Sequence, residues 1–546
     1  MRQQLAGAVD ARVGGGAAPA AASLAAPIDR SAWTLITAFA LLHAALAAIV
    51  PLSPQEAYYW LWSRDPSLSY FDHPPLASYS IALTTALFDT SAFGIKMAAV
   101  GWSIALNVVW TRLLTDFGSD RQVQWWSLLA LNLIGITAAY GVVIAPDTPL
   151  LFAWTATIWA VWRAAATGNG RWWYAAGIFF GLGMLSKYSA VLLGPALALF
   201  LLASQRQRHW WGRPEPYVAV VLASLVFAPV VIWNAQHDWA SFAFQSSERA
   251  AGMNRWQLRH FLQLIATQLG FVTPYLLVIA LMTWFAALRR WRDLLTDDRR
   301  LLLIAAATVP LVLFTAVSLR SMVKPNWLAP AYWPLIILAV EERLAGGTVP
   351  RSFKLGLASS CALLLAAIVA VSWPNARLGD LDTWSGWPEA AKRVDDLQRE
   401  LSGRGERSFV FSTNHKSSAM LAFYRQGHAR TYAQDVFGER ALQFDFWPPE
   451  DGMEGATGIL AIDDMHDRSS LPLQLPSYCR ALTKVDTIVD SSGSGAPRRI
   501  DLYLCQDYRG HPRRGNSENE PGRKRAAARR VGAILRTGRA GAAFDH

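Results

Sequence analysis

The residues able to do chemistry lie in the connections between hydrophobic stretches: Glu56, Asp72 with His73, Asp147, Lys187, His237 with Asp238, Arg249, Arg320 and Lys324. Carboxylates beside cations suit one class of reaction at a membrane. Arg and Lys hold a phosphate and stabilise the charge that builds on it as it leaves, while a carboxylate within hydrogen-bond reach takes the proton of an attacking hydroxyl. Taken singly, each residue reads equally well as a solvated loop side chain or a helix cap. Asp147, in Ala-Pro-Asp-Thr-Pro, has the spacing of an N-terminal cap with Thr148 and Pro149 opening the helix. His73-Pro74-Pro75 reads as a rigid loop terminus. Lys187, between two apolar stretches, has few bland readings beyond snorkelling to the surface. Taken together, the group forms a candidate site, because ionisable side chains beside lipid are costly and tend to line cavities or bind something.

These residues must be positioned by membrane helices. The chain has 546 residues, is 53% hydrophobic and 17% charged, and carries 25 Trp, which points to a polytopic α-helical membrane protein. Hydrophobic runs predict about eleven spans, near 31–50, 91–113, 124–144, 149–166, 172–186, 188–204, 216–234, 261–288, 301–318, 327–342 and 354–373. Between the first two lies 51–76, PLSPQEAYYWLWSRDPSLSYFDHPPL, read as a surface loop whose Tyr58, Tyr59, Trp60 and Trp62 settle at the level of lipid headgroups. Stretch 171–205 is read as two short helices turning at Ser186-Lys187-Tyr188. Arg and Lys concentrate in alternate connections, which places the N-terminus in the cytoplasm and all of the candidate residues on the outer, periplasmic side.

The expected organisation is a flexible segment over 1–30, a transmembrane domain over 31–373, a small periplasmic α/β domain over 374–508 and a disordered basic tail over 509–546. In the α/β domain, helical stretches at Trp387–Leu401 and Ser417–Arg425 alternate with β-like runs at Ser408–Ser412, Gly458–Ile462 and Ile500–Cys505. Much of the formal charge of +11 sits in the tail, where from His511 to His546 nine Lys/Arg face Glu518, Glu520 and Asp545. The basic balance therefore describes a solvated appendage and is no signal for nucleic acid. Three cysteines exclude a cysteine metal cluster; Cys479 and Cys505 are either a pair in an oxidising compartment or two free thiols.

Pro-Gln-Glu-Ala-Tyr-Tyr-Trp-Leu-Trp-Ser (54–63), Tyr-Phe-Asp-His-Pro-Pro-Leu (70–76), Ala-Pro-Asp-Thr-Pro-Leu (145–150), Leu-Ser-Lys-Tyr (185–188), Trp-Asn-Ala-Gln-His-Asp-Trp-Ala-Ser-Phe (233–242) and Lys-Pro-Asn-Trp (324–327) together resemble bacterial polyprenyl-phosphate-dependent glycosyltransferases of the GT-C fold. The nearest branch is that of protein O-mannosyltransferases and lipid A aminoarabinose transferase. The resemblance implies an inner-membrane enzyme that takes a sugar from a polyprenyl-phosphate donor, inverts its anomeric centre and delivers it to an envelope acceptor (lipid A, another glycan or protein) at the periplasmic face. It implies Glu56 as base with Asp147 as alternative, and Asp72, His73, Lys187, Arg249, Arg320 and Lys324 as substrate-binding groups. In relatives an acid at the place of Asp72, with a His in a later loop, binds a divalent metal ion; Asp72 and His237 would be that pair. The family usually has Asp-Glu in the first outer loop, where this chain has Gln55-Glu56. The competing expectation is a transporter of lipid-linked sugar or solute, against which stands the absence of an internal repeat.

Overall fold

The structure is a computed structural model that describes residues 27–248, 255–372, 382–447, 452–464, 475–490 and 498–510. Arg249, nearly all of the N-terminal segment and nearly all of the basic tail lie outside these residues. The chain divides into two compact units, one comprising Met1–Trp387 with Val489–Arg498 and the other the remainder.

The first unit is helical. Its helices are α1 (Arg30–Ile49), α2 (Pro54–Arg64), α3 (Leu76–Phe88), α4 (Ala92–Asp116), α5 (Arg121–Asn132), α6 (Gly135–Tyr140), α7 (Asp147–Thr167), α8 (Arg171–Ser186), α9 (Leu193–Ala203), α10 (Glu215–Gln236), α11 (Leu258–Val272), α12 (Pro274–Arg289), α13 (Asp298–Ser318), α14 (Ala329–Leu344) and α15 (Arg351–Ser372). Five of them, α1, α4, α10, α13 and α15, are long and apolar enough to cross a bilayer; counting the bent pair α11 and α12 as one span makes six. The protein is thus a polytopic helical membrane protein.

Several expectations change. The stretch 51–76 is not a plain loop: Ser53 caps α2, its hydroxyl accepting from the Glu56 N–H, and the Glu56 carboxylate answers by accepting from the Ser53 N–H and hydroxyl, so a capping box starts a helix. A further apolar helix, α3, occupies part of the expected outer connection between the first two spans. The run 261–288 is bent by 112° where Thr273 takes φ 72° ahead of Pro274, which opens α12. The run 124–144 is likewise interrupted between α5 and α6.

At Lys187 the chain does reverse. Lys187 meets Asp147 at the start of α7, whereas Gln207, beyond α9, donates to the carbonyl of Ala165 near the end of α7. The two helices splay rather than pair: α8 packs on α7 and α10, and α9 packs on α13. Close packing of α8 on α10 depends on Gly177 and Gly181 facing Ala219 and Ala223, small residues at helical spacing on both sides.

The second unit holds a four-stranded mixed sheet in the order β1-β2-β4-β3, from β1 (Ser408–Ser412), β2 (Thr457–Asp463), β3 (Ala481–Asp490) and β4 (Arg498–Gln506). β1 and β2 run parallel and β4 antiparallel to β2. Two helices, α16 (Trp387–Gly403) and α17 (His415–Tyr424), accompany it. The strand β3 escaped the sequence reading because its partly exposed, charge-bearing pattern lacks a hydrophobic run. Cys479 and Cys505 form a disulfide with Cα atoms 5.1 Å apart, which decides between the two readings left open.

Candidate active site

Asp147 is the first residue of α7, and its backbone has no side-chain cap. It therefore does not act as the cap its spacing suggested. Its carboxylate instead accepts from Lys187 Nζ at 2.7 Å through Oδ1 and from Asn326 Nδ2 at 2.8 Å through Oδ2. The two donors come from segments 40 and 179 residues away from Asp147. Both Asp147 and Lys187 are buried.

Local sequence explains the placement. Lys187 is extended (φ −154°, ψ 135°), ending α8 so that its side chain leaves the helix axis. Ser186 Oγ donates to the Pro146 carbonyl and ties this break to the start of α7. Asn326 sits in a short 3-10 turn, Pro325–Leu328, set by Pro325 after Lys324. An ion pair held this far from water is tolerated only with further hydrogen bonds, and Asn326 supplies one.

Glu56 is placed otherwise than a base requires. It is completely buried; Oε2 accepts from Lys96 Nζ at 2.6 Å, Ser53 Oγ at 2.9 Å and Ser53 N at 3.0 Å, and Oε1 accepts from Ile144 N at 3.2 Å. Its acceptor sites are occupied by the protein itself. The arrangement makes Glu56 a clamp that fixes α2, α4 and the approach to Asp147. Lys96, fully buried near the start of a predicted span, in the second turn of α4, carries no expectation from the sequence, although an ion inside an apolar run is itself a signal.

Asp72 is also buried, and Tyr58 donates its hydroxyl to Oδ1 at 3.4 Å. The Asp72 carbonyl accepts from Gln245 Nε2 at 2.5 Å. Tyr59 lies within electrostatic reach of both Asp72 and Asp147; burial first, then these two charges, push its hydroxyl well above the ordinary range, so it acts as a donor. Its ring meets His73 edge-on, with centroids 6.4 Å apart. Tyr140, at the end of α6, is turned toward Asp147 and Asn326. Tyr59, Tyr140 and Asn326 were not singled out from the sequence, since neutral side chains carry no charge signal of their own.

The remaining expected residues are more dispersed. His237 stacks on Trp233 at 4.1 Å and shares a hydrogen bond of 2.7 Å between Nδ1 and the Trp233 carbonyl. Such a bond orients the ring so that Nε2 is the atom able to meet a cation. Among the described residues there is no group of three or more His, Cys, Asp or Glu that could hold a metal. Arg320 is exposed and lies over the Trp256 ring at 4.7 Å, and Lys324 is exposed. The geometry thus joins Asp147, Lys187, Asn326 and Tyr59, puts Asp72 within reach of Tyr59, and keeps Glu56 in a supporting pair.

A family model described as dolichyl-phosphate-mannose-protein mannosyltransferase matches residues 72–233, a segment that contains Asp72, Asp147 and Lys187. The lipid A galacturonosyltransferase RgtD of Rhizobium johnstonii is 26% identical over 408 residues, covering 72% of this chain and 83% of that protein. The chain is thus similar in sequence to glycosyltransferases of this kind. A further relative is an undecaprenyl phosphate-α-4-amino-4-deoxy-L-arabinose arabinosyl transferase of Pseudomonas fluorescens, 25% identical over 51% of this chain and 49% of that protein. Among solved structures, ArnT from Cupriavidus metallidurans in the apo state superposes with a TM-score of 0.60 at 15% identity, over 86% of this chain and 97% of ArnT. The same protein bound to undecaprenyl phosphate gives a TM-score of 0.57 at 16% identity, over 87% and 98%. The chain therefore shares the fold of ArnT across nearly the whole of that protein.

Proposed function

We propose that the chain transfers a sugar from a polyprenyl-phosphate donor to an envelope glycolipid of the lipid A class at the periplasmic face of the inner membrane. The observation that carries this reading is the buried Asp147–Lys187–Asn326 constellation, assembled from distant segments within and beside the family-matched region. The relatives support the substrate class, since their names specify lipid A and undecaprenyl-phosphate-linked sugar. The eleven passages read from the sequence belong to the same proposal, with the shorter and broken helices completing the spans and the second unit in the periplasm.

In the proposed reaction an acceptor hydroxyl attacks the anomeric carbon, the bond from that carbon to the phosphate oxygen breaks, and polyprenyl phosphate leaves with both electrons. Displacement from the opposite face inverts the centre. Lys187 binds the phosphate and stabilises its growing charge. A phosphate that takes a hydrogen bond from Lys187 leaves an Asp147 oxygen to accept the hydroxyl proton. Asn326 keeps the carboxylate in place, and Tyr59 donates toward the sugar or phosphate. Asp72, His73, Arg320, Lys324 and Arg249 complete the proposed substrate contacts. Asp72 with His237 is the proposed pair for a divalent ion, whose chemistry would be to neutralise phosphate charge.

The test is a purified full-length chain in lipid nanodiscs, given a polyprenyl-phosphate sugar and lipid A, with product read by mass spectrometry. Asp147→Asn is expected to lower turnover by about 10²–10⁴-fold, the range for loss of a general base, with insertion and folding unchanged. Wild-type turnover in that variant would remove Asp147 from the chemistry. Movement of the lipid-linked sugar across the bilayer without cleavage would instead support transport.

A further inference from the structure

At the other end of α7 from Asp147 is a cavity of ≈ 1290 Å³ bordered by Ala165 and Ala166, by the last turns of α12 and by the start of α13. Eighteen residues of helix separate Asp147 from Ala165, which at 1.5 Å per residue is about 27 Å, close to the thickness of the hydrocarbon layer. The cavity therefore lies at the opposite leaflet. It is larger than the ~300–1,000 Å³ usual for a small-molecule pocket.

Its charges sort into two kinds. Most are spent on the protein: Asp298 accepts from Ser204 Oγ at 2.6 Å and Gln207 Nε2 at 3.0 Å, Asp297 from the Arg300 N–H at 3.0 Å, and Arg299 and Arg300 pair with Glu341 and Glu342 at 3.1 and 2.6 Å. Arg289, Arg290 and Asp293 also border the cavity and are exposed; so is a further cation bordering it, Arg206, just beyond the end of α9. Among the described residues the side chains of Arg289, Arg290 and Asp293 make no hydrogen bond or ion pair. Met282, Phe285 and Arg289 follow one another at helical spacing along a single stripe of α12, with Met282 59% and Phe285 55% exposed. An apolar track thus runs up to two guanidiniums, with a carboxylate beyond them.

We propose that this cavity binds a zwitterionic phospholipid of that leaflet, its phosphate on Arg289 and Arg290, its ammonium toward Asp293 and an acyl chain along Met282 and Phe285. Charge complementarity selects this occupant. Two cations fit a phosphate, while the neighbouring carboxylate favours a headgroup that carries an amine and disfavours a purely anionic one.

Native mass spectrometry of the detergent-purified full chain, supplied with phosphatidylethanolamine, phosphatidylglycerol or inorganic phosphate, tests it. Wild type should retain phosphatidylethanolamine in preference to phosphatidylglycerol. Arg289→Ala with Arg290→Ala should weaken retention by about thirtyfold, as expected for two cations at a lipid surface. Asp293→Asn, a conservative change on an exposed residue, should keep lipid binding but erase the preference. Phosphatidylglycerol bound as tightly as phosphatidylethanolamine by wild type would overturn the headgroup assignment. Unchanged retention in the double variant, or displacement of lipid by equimolar inorganic phosphate, would overturn the lipid site.

Discussion

Two buried carboxylates, Glu56 and Asp147, differ in what each one touches. Glu56 accepts four hydrogen bonds from its own protein, one of them from the fully buried Lys96, whereas Asp147 accepts from a Lys and an Asn beside which Tyr59 and Asp72 converge. Removing one partner of a buried pair strands the other charge, at a cost of roughly 3–5 kcal/mol, while replacing both with neutral groups costs far less. Glu56→Gln and Lys96→Met should each lower the unfolding temperature in detergent strongly, and the double variant should regain a large part of the loss and retain transfer activity. A double variant as inactive as Asp147→Asn would return Glu56 to the chemistry. In the second unit Asp435 offers a pH test. Burial, reinforced by Asp445 and opposed by a hydrogen bond from the Ala433 N–H, pushes its carboxyl up to about 7. The folded value lies above the unfolded one of about 3.9, so the fold favours the protonated form. Stability is then full at low pH, falls as pH rises from about 4 through 7, and levels off above. Asp435→Asn should therefore stabilise the chain at pH 8 by on the order of 1–3 kcal/mol and have little effect at pH 4. Equal shifts of the unfolding midpoint at the two pH values would mean that Asp435 ionises normally.

Among the elements, the contact of α8 with α10 is the one whose sequence requirement is most specific. A Cβ at Gly177 would lie 2.3 Å from the Ala219 carbonyl oxygen, and one at Gly181 would lie 2.7 Å from Val226 Cβ. Backbone oxygen cannot yield as a flexible side chain can. Because α8 ends at Lys187, any shift of this helix against α10 moves the cation that faces Asp147. Gly177→Ala is expected to destabilise the chain by about 1–3 kcal/mol, the usual cost of overpacking, and to lower transfer as well. Gly101→Ala in α4, where nothing lies within 4 Å, is the control and should be neutral or slightly stabilising. Thermal unfolding of both variants, monitored by size exclusion of the detergent-solubilised protein, checks this. If Gly177→Ala unfolds at the wild-type temperature, the close approach is not a source of stability. The spans of α1, α4, α10, α13 and α15 were legible because hydropathy over twenty or so residues is a strong local signal. The short α3 was not, since a thirteen-residue stretch interrupted by Ser78, Ser80, Thr84 and Thr85 is too short and too polar to separate from a loop. Nor was the break at Thr273, although Pro274 marked the place where a helix could restart.

For the whole molecule, what the sequence made legible was which connections share an end of the bundle. Glu56, Asp147, Lys187 and Asn326 meet at one end, and Gln207, Asp298, Arg299 and Glu341 at the other. Charge alternation carries that information because each span reverses the chain. Pairings such as Glu56 with Lys96 or Asp147 with Asn326 were not legible, since nothing local at one residue specifies a partner far along the chain. Absolute sidedness is where the Cys479–Cys505 disulfide becomes informative. Such bonds persist in oxidising compartments such as the periplasm and are rare in the cytosol, and a loop closed over a separation of 26 residues contributes about 3–4 kcal/mol. Intact cells expressing the full chain, treated with a membrane-permeant thiol reagent after denaturation, should therefore show one reactive cysteine, Cys361, before reduction and all three after it. Labelling of Cys479 and Cys505 without reduction would put the second unit on the reducing side, and with the eight passages proposed between Asp147 and that unit it would also reverse the face assigned to Asp147 and Lys187.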